Sequence, residues 1–264
     1  MAMPIVHIDK PSKGQNLDLT MVIPIKDEAD NIGPLAREIE STMAAANLRW
    51  ECLWIDDGST DASRHEILKL VEANKSHRLL VFEKNAGQSA ALWAGFQHSR
   101  GRYIATMDGD GQNDPADLPR MTKTLVSDDA DMVNGYREHR HDSWLRRVAS
   151  KIANGFRNLT TGKTVRDAGC STRVFRRECV QRLPLFAGMH RFLPTLVELH
   201  GFKMVEVPVN HRPRRHGKTK YTINNRLWVG LFDCFGVFWL RRRRVSYKIV
   251  NLTQDTSLKP PFQG

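Results

Sequence analysis

A repeating alternation constrains this chain most: short apolar runs that stop at polar or acidic turns, separated by stretches of helical character. Leu19-Thr-Met-Val-Ile-Pro-Ile25 leads into Lys26-Asp27-Glu28 and a helical stretch from about Asn31 to Ala45. Trp50-Glu-Cys-Leu-Trp-Ile-Asp56 ends in Asp56-Asp57-Gly58-Ser59-Thr60-Asp61, where Thr60 or Asp61 is expected to cap a helix running to about Ala73. A third run, Leu79 to Phe82, passes through Asn85-Ala86-Gly87-Gln88 into a helix to about Ser99. The fourth, Tyr103-Ile-Ala-Thr-Met107, meets Asp108-Gly109-Asp110-Gly111-Gln112. Strands alternating with helices at this spacing imply an α/β fold with a mostly parallel sheet covered on both faces.

In such sheets ligands bind beyond the carboxyl ends of the strands. Asp27, Asp56, Asp57, Asp108 and Asp110 fall at those ends and are expected to converge on one crevice. Asp108 and Asp110, one residue apart, repel each other, so burying them calls for a compensating cation. A hard divalent cation with oxygen ligands fits, and a nucleotide diphosphate is its usual companion. One acidic turn by itself reads as a helix cap or a solvated Asp-Gly turn. Recurrence at several strand ends of one α/β unit is not explained that way. Neither GxGxxG nor a P-loop lysine motif is present, which argues against a dinucleotide enzyme and a P-loop NTPase.

The motifs themselves carry a resemblance. Val22-Ile-Pro-Ile-Lys-Asp-Glu28, Asp56-Asp-Gly-Ser-Thr-Asp61, Asn85 to Phe96 and Asp108-Gly-Asp-Gly-Gln-Asn-Asp-Pro115 resemble the successive motifs of family 2 glycosyltransferases of the GT-A fold. Asp167-Ala-Gly-Cys-Ser-Thr-Arg-Val-Phe-Arg-Arg177, Met189-His-Arg-Phe-Leu-Pro194 and Glu206 to Arg214 are similar to the polyprenyl-phosphate sugar transferases, the group of dolichol-phosphate mannose synthase and its undecaprenyl-phosphate relatives. The resemblance implies a Rossmann-like sheet flanked by helices. It assigns nucleotide-sugar binding to Pro24, Asp27, Glu28, Asp56, Asp57, Asn85, Gln88 and Asp108, with Asp56 or Asp57 on the base and ribose. It assigns Mg²⁺ or Mn²⁺ to Asp108, Asp110 and Gln112. Gln112 matches the family glutamine, whereas Gly111 stands where a leucine is common. The QxxRW motif of processive polysaccharide synthases is missing, which argues against a polymerase.

Composition adds charge. The net charge of +11 over 264 residues implies an anionic partner: nucleic acid, an anionic membrane face or phosphorylated substrates. Cys52, Cys170, Cys179 and Cys234 are scattered without a CxxC pair, as expected of reduced thiols in the cytoplasm. From Gly135 onward arginines crowd the chain. Arg140, Arg176 and Arg177 read as solvated. Arg146 and Ser150, four apart, share one helical face and suit a phosphate clamp. The resemblance assigns the acceptor lipid's phosphate to Arg137, Arg146 and Ser150, with Arg147 an alternative to Arg146. His211 to Tyr221 resembles the family loop that closes over the diphosphate, through Arg214 and Lys220, with Thr219 in place of serine. His200, His211 and His216 fit no structural zinc spacing.

Four regions are expected: a tail over 1–18, a catalytic domain over 19–222, an amphipathic segment over 223–246 and a polar, disordered tail over 247–264. Trp228, Leu231, Phe232, Phe235, Phe238 and Trp239 recur at helical spacing, with Arg226, Gly230 and Asp233 on the other side. This suits either a core helix or one lying in a membrane interface, and Arg241 to Arg244 directly after favour the interface. Four arginines at about 1 kcal/mol each contribute roughly 4 kcal/mol near an anionic leaflet. The apolar stretch Leu227 to Leu240, roughly 21 Å long as a helix, falls short of a roughly 30 Å hydrocarbon core.

The implied function is an inverting, metal-dependent transfer of a hexose from a GDP-mannose-class or UDP-hexose-class donor to a polyprenyl phosphate, with Asp110, Arg214 and Lys220 as catalytic residues. The expected setting is the cytoplasmic face of the cell membrane, where a separate transmembrane protein could serve as partner. A second reading is a transferase of the same fold with a hydroxyl acceptor, using Asp110 or Asp167 as base. A third, a nucleic-acid-binding protein, rests on charge alone, and no nucleic-acid motif accompanies it.

Overall fold

The computed structural model describes residues 17–138, 165–214 and 224–243. The order is β1 (Leu19–Ile25), α1 (Ala29–Ala45), β2 (Trp50–Asp56), α2 (Ser63–Ala73), β3 (His77–Val81), α3 (Gln88–His98), β4 (Tyr103–Thr106), α4 (Asp117–Ser127) and β5 (Met132–Arg137). There follow β6 (Arg173–Arg176), α5 (Arg177–Gln181), a 3₁₀ turn (Met189–Arg191), α6 (Leu193–Leu199), β7 (Met204–Val209) and α7 (Asn224–Arg242).

The sheet runs β3-β2-β1-β4-β6-β5-β7. β6 is antiparallel to β4 and β5, while the other pairings are parallel. Side-chain alternation divides the core between the two faces. Leu19, Met21, Ile23 and Ile25 of β1 join Cys52 and Trp54 against α1. Val22, Leu53 and Ile55 point the other way, against Ala91, Leu92 and Phe96 of α3. Pro24 is tolerated in this central strand because β4 pairs only with Leu19 to Val22, so its missing N–H lies past that ladder. The chain order reverses between β1 and β4, which opens a crevice at their carboxyl ends.

Two local expectations shift. The third strand begins at His77 rather than Leu79, since β2 extends it: Cys52 pairs with His77, and the Trp54 indole N–H donates to His77 Nδ1 at 3.0 Å. Neither expected cap holds the N-cap position of α2, which is Ala62; Asp61, one residue earlier, accepts from the Ser63 amide at 2.9 Å and from Ala29, the first residue of α1, at 3.2 Å. The Thr60 amide instead donates to Asp27 at 2.7 Å.

Arg176 and Arg177, expected as solvated, are half-buried and hydrogen-bonded to backbone carbonyls. The antiparallel register sets Arg176 opposite Tyr103, at the start of β4 and away from the crevice. There Arg176 donates to the Ala130 carbonyl at 2.9 Å and Arg177 to the Gly101 carbonyl at 2.9 Å. Arg173, opposite Thr106, is the member of this run brought to the crevice end.

Candidate active site

The crevice is laid out by loops leaving β1, β2 and β4, and much of its acidity fastens those loops together. The Asp57 carboxylate accepts from the amides of Ala86 at 2.6 Å and Gly87 at 2.9 Å and from Asn85 Nδ2 at 3.1 Å, so it secures the entry to α3. Buried Asp56 accepts from the Ser59 amide at 2.7 Å and Arg64 Nε at 2.7 Å. Burial alone would raise its pKa, but these donors hold it below the usual carboxylate range. Asp27, at φ 50°, ties the β1 end to Thr60. The acidic strand ends are thus neighbours, yet Asp27 and Asp56 engage Thr60 and Arg64.

Asp108 and Asp110 form the centre. Gln88 Nε2 donates to Asp108 Oδ1 at 3.0 Å. Burial of the Asp108 carboxyl, together with the charge of Asp110, pushes its pKa up. Between them, Gly109 lies so close to β1 that an added Cβ would collide with the Ile25 side chain. Gly111 takes φ +73°, a conformation that disfavours the leucine common there in the family. Gln112 donates its amide to Asp110 Oδ1 at 3.1 Å and its side-chain nitrogen to the Arg212 carbonyl at 3.3 Å.

From the far side, Arg214 reaches Asp110 Oδ2 at 2.8 Å and Glu28 Oε1 at 3.4 Å. Arg137 pairs with Asp167 through two bonds, Nε at 2.6 Å and Nη2 at 3.0 Å. Arg146, Ser150 and Lys220 lie outside the described residues, as do Arg140, Arg147, His216 and Thr219.

Sequence reasoning assigned no role to several residues that shape the site. Buried Asn113 accepts the Asp108 amide at 2.9 Å and the Ser171 hydroxyl at 3.0 Å, and donates to Thr172 Oγ1 at 2.8 Å. It thereby fixes the acidic loop to the segment entering β6. Arg173 donates to Asn134 and to the carbonyls of His190 and Ala168 at 2.9–3.1 Å. His190 Nδ1 lies 2.8 Å from Ser89 Oγ, in the first turn of α3 beside Gln88. The only signal for these was their place inside the quoted motifs, because each acts through a contact distant in sequence.

Among the described residues no group of three or more His, Cys, Asp or Glu gathers as a metal cage. Asp108 and Asp110 therefore offer carboxylates from one turn, a donor set that fits a hard cation completed by substrate phosphates and water. This is the arrangement of the GT-A glycosyltransferases: an α/β sheet with a paired-carboxylate turn at the ends of its parallel strands. Residues 20–183 match the family model described as glycosyl transferase family 2, and the chain belongs to that family. It is 37% identical over 232 residues to the dodecaprenyl-phosphate galacturonate synthase of Rhizobium johnstonii, covering 86% of this chain and 68% of that protein.

Solved structures share the fold. The glucosyl-3-phosphoglycerate synthase of Mycobacterium tuberculosis, in complex with Mn²⁺, UDP and phosphoglyceric acid, superimposes with a TM-score of 0.63 at 17% identity, over 87% of this chain and 80% of that one. A structure described as a mycobacterial protein gives a TM-score of 0.57 at 23% identity, over 75% and 68%.

Proposed function

We propose that this enzyme transfers a hexose from a nucleotide-diphosphate sugar to a polyprenyl phosphate, inverting the anomeric carbon in one in-line displacement. The observation that carries the reading is how the crevice disposes of its possible bases. Asp110 is engaged by Arg214 and Asp167 by Arg137. A hydroxyl acceptor would need one of these carboxylates to take its proton. A phosphate monoester has a second pKa near 6 and arrives largely as a dianion, so it attacks without a base. The similarity to a dodecaprenyl-phosphate galacturonate synthase supports the same acceptor class and makes a uronic-acid donor the first to try.

In this reading Asp108 and Asp110, with Gln112 beside them, hold Mg²⁺ or Mn²⁺. When bound, the cation neutralises charge on the departing diphosphate. Arg214 and Lys220 add hydrogen bonds to the same oxygens. Pro24, Asp27, Glu28, Asp56, Asp57, Asn85 and Gln88 shape the nucleotide-sugar pocket, the acids partly by fixing its loops. Arg137, Arg146 and Ser150 receive the acceptor phosphate.

The acceptor's tail holds it in a bilayer, and α7 is suited to bring the enzyme there. Cys234 and Val237 of α7 are buried against the domain, and Asp233 pairs with Arg191 at 3.5 Å. The opposite face leaves Phe232, Phe235 and Trp239 exposed by 74%, 57% and 60%, followed by exposed Arg241, Arg242 and Arg243. No helix among the described residues is long and apolar enough to cross a membrane. A peripheral position on the cytoplasmic face of the cell membrane, alone or beside a transmembrane partner, accounts for these features.

The test is transfer from UDP- and GDP-sugars to a short-chain prenyl phosphate, with the product identified by mass spectrometry. A prenyl-phosphate hexose formed with Mg²⁺ or Mn²⁺ and lost in excess EDTA is expected. Full activity in EDTA contradicts the metal assignment, and no product from any donor contradicts the reaction.

A further inference from the structure

We propose that Arg214 acts as a resident counter-cation for Asp110, so that the enzyme takes its divalent cation as the chelate of the donor diphosphate rather than as the free ion. This rests on the reading of Asp108 and Asp110 as the metal carboxylates, and it adds an order and a coupling to that reading.

The Arg214 guanidinium lies between Asp110 Oδ2 at 2.8 Å and Glu28 Oε1 at 3.4 Å, and the three side chains are only 25%, 13% and 13% exposed. Such a sheltered pair is screened less than a surface one. A free divalent ion approaching Asp110 meets a positive charge already bonded to the same carboxylate. It must displace Arg214 from the carboxylate it bonds most closely, leaving the guanidinium 3.4 Å from Glu28 with the charge of Asp108 also acting on it. A cation arriving on a diphosphate brings the anion that Arg214 then requires, since a guanidinium binds phosphate oxygens as readily as carboxylate. Arg214 would exchange one anionic partner for another and so free Asp110 Oδ2 as a ligand for the cation.

The surrounding segment is built for that exchange. Arg212 is pinned by Glu38 at 2.6 Å and Asp114 at 2.7 Å, and its amide donates to the Gln112 carbonyl at 2.8 Å. Asn113 and His211 form a bridge alongside. The base of the segment is therefore fixed to the acidic turn, and Arg214, two residues on, can change partner by side-chain rotation.

The experiment is a Mn²⁺ titration followed by the electron paramagnetic resonance signal of the free ion. Full-length wild type, R214Q, R214K and D110N are measured alone, with UDP and with GDP, and Mn²⁺ binding by each nucleotide without protein is subtracted. R214Q removes the competing charge and should bind Mn²⁺ alone about tenfold more tightly than wild type, the worth of one charge-assisted bond. The enhancement that nucleotide gives wild type should shrink in R214Q. R214K, which keeps the charge, should stay near wild type, and D110N should lose binding throughout. The proposal is overturned if R214Q binds Mn²⁺ alone no better than wild type. It is equally overturned if wild type binds the free ion as tightly as the chelate. Wild type that binds no Mn²⁺ even with nucleotide removes the underlying metal reading as well, a distinguishable result. Cooperative melting of each variant, lowered by no more than the loss of one sheltered ion pair accounts for, shows that the fold is kept.

Discussion

At Gly109 the backbone between the two carboxylates lies against β1, and an added Cβ would meet the Ile25 side chain, which is 1% exposed and closely packed. G109A should therefore cost about 1–3 kcal/mol, as overpacked core substitutions do. Moving Asp108 and Asp110 apart should also reduce transfer more than it reduces stability; thermal melts and turnover measured together check this. His77 makes a different prediction. Its buried ring accepts from Trp54 through Nδ1 and faces Glu40 Oε1 through Nε2 at 3.1 Å, which suits the neutral form. Burial holds its pKa below the ordinary value, although Glu40 pulls the other way. The unfolded chain takes up a proton below about pH 6.5 that the folded imidazole refuses. This stabilising contribution is thus present above that pH and lost as pH falls through the lowered folded value. Wild type should lose more melting temperature between pH 7.5 and 5.5 than H77F does; equal slopes would remove His77 from the account.

Among the elements, β1 to β4 and their helices were legible because the strands are short apolar runs, buried on both faces in β1, β2 and β4, and each ends at a polar turn. β6 was not. Its four residues, Arg173–Arg176, carry arginines at both ends and run against their neighbours, so nothing local showed that the register would carry Arg173 to the crevice end and Arg176 to the start of β4. Asn113 and Ser171 escaped for a related cause: their bond spans 58 positions, and no local pattern announces it. The amphipathic character of α7 was readable, but which face docks was decided by Asp233 meeting Arg191 and by Cys234 and Val237 meeting the core. Trp228 and Leu231, expected on the same apolar face, are not among the residues whose side chains are described. The exposed row yields a direct prediction. Full-length protein should sediment with anionic liposomes, less so at high salt because the arginine attraction is screened. F232S/F235S/W239S should largely abolish sedimentation while leaving nucleotide binding intact. Indifference of wild type to liposomes at every salt concentration would make this face a docking site for a protein instead.

For the molecule as a whole, the proposed function would have the parallel half supply the nucleotide-sugar crevice and the later segments supply arginines and a route to the bilayer. The net charge of +11 belongs with phosphate and lipid chemistry in this account. Arg146→Ala should impair use of the lipid acceptor while nucleotide affinity stays near wild type; an equal loss of both would move Arg146 to the donor side. The central claim is that the nucleophile is a phosphate, since the possible base Asp110 is engaged by Arg214, or by the cation that would replace it, and Asp167 is engaged by Arg137. It is tested most directly by offering the enzyme a short-chain prenyl phosphate and the corresponding prenyl alcohol side by side, with the same nucleotide sugar and Mn²⁺. The account predicts that sugar passes to the phosphate, and that the alcohol gives no product above the level of Asp110→Asn. Comparable transfer to the alcohol would contradict it.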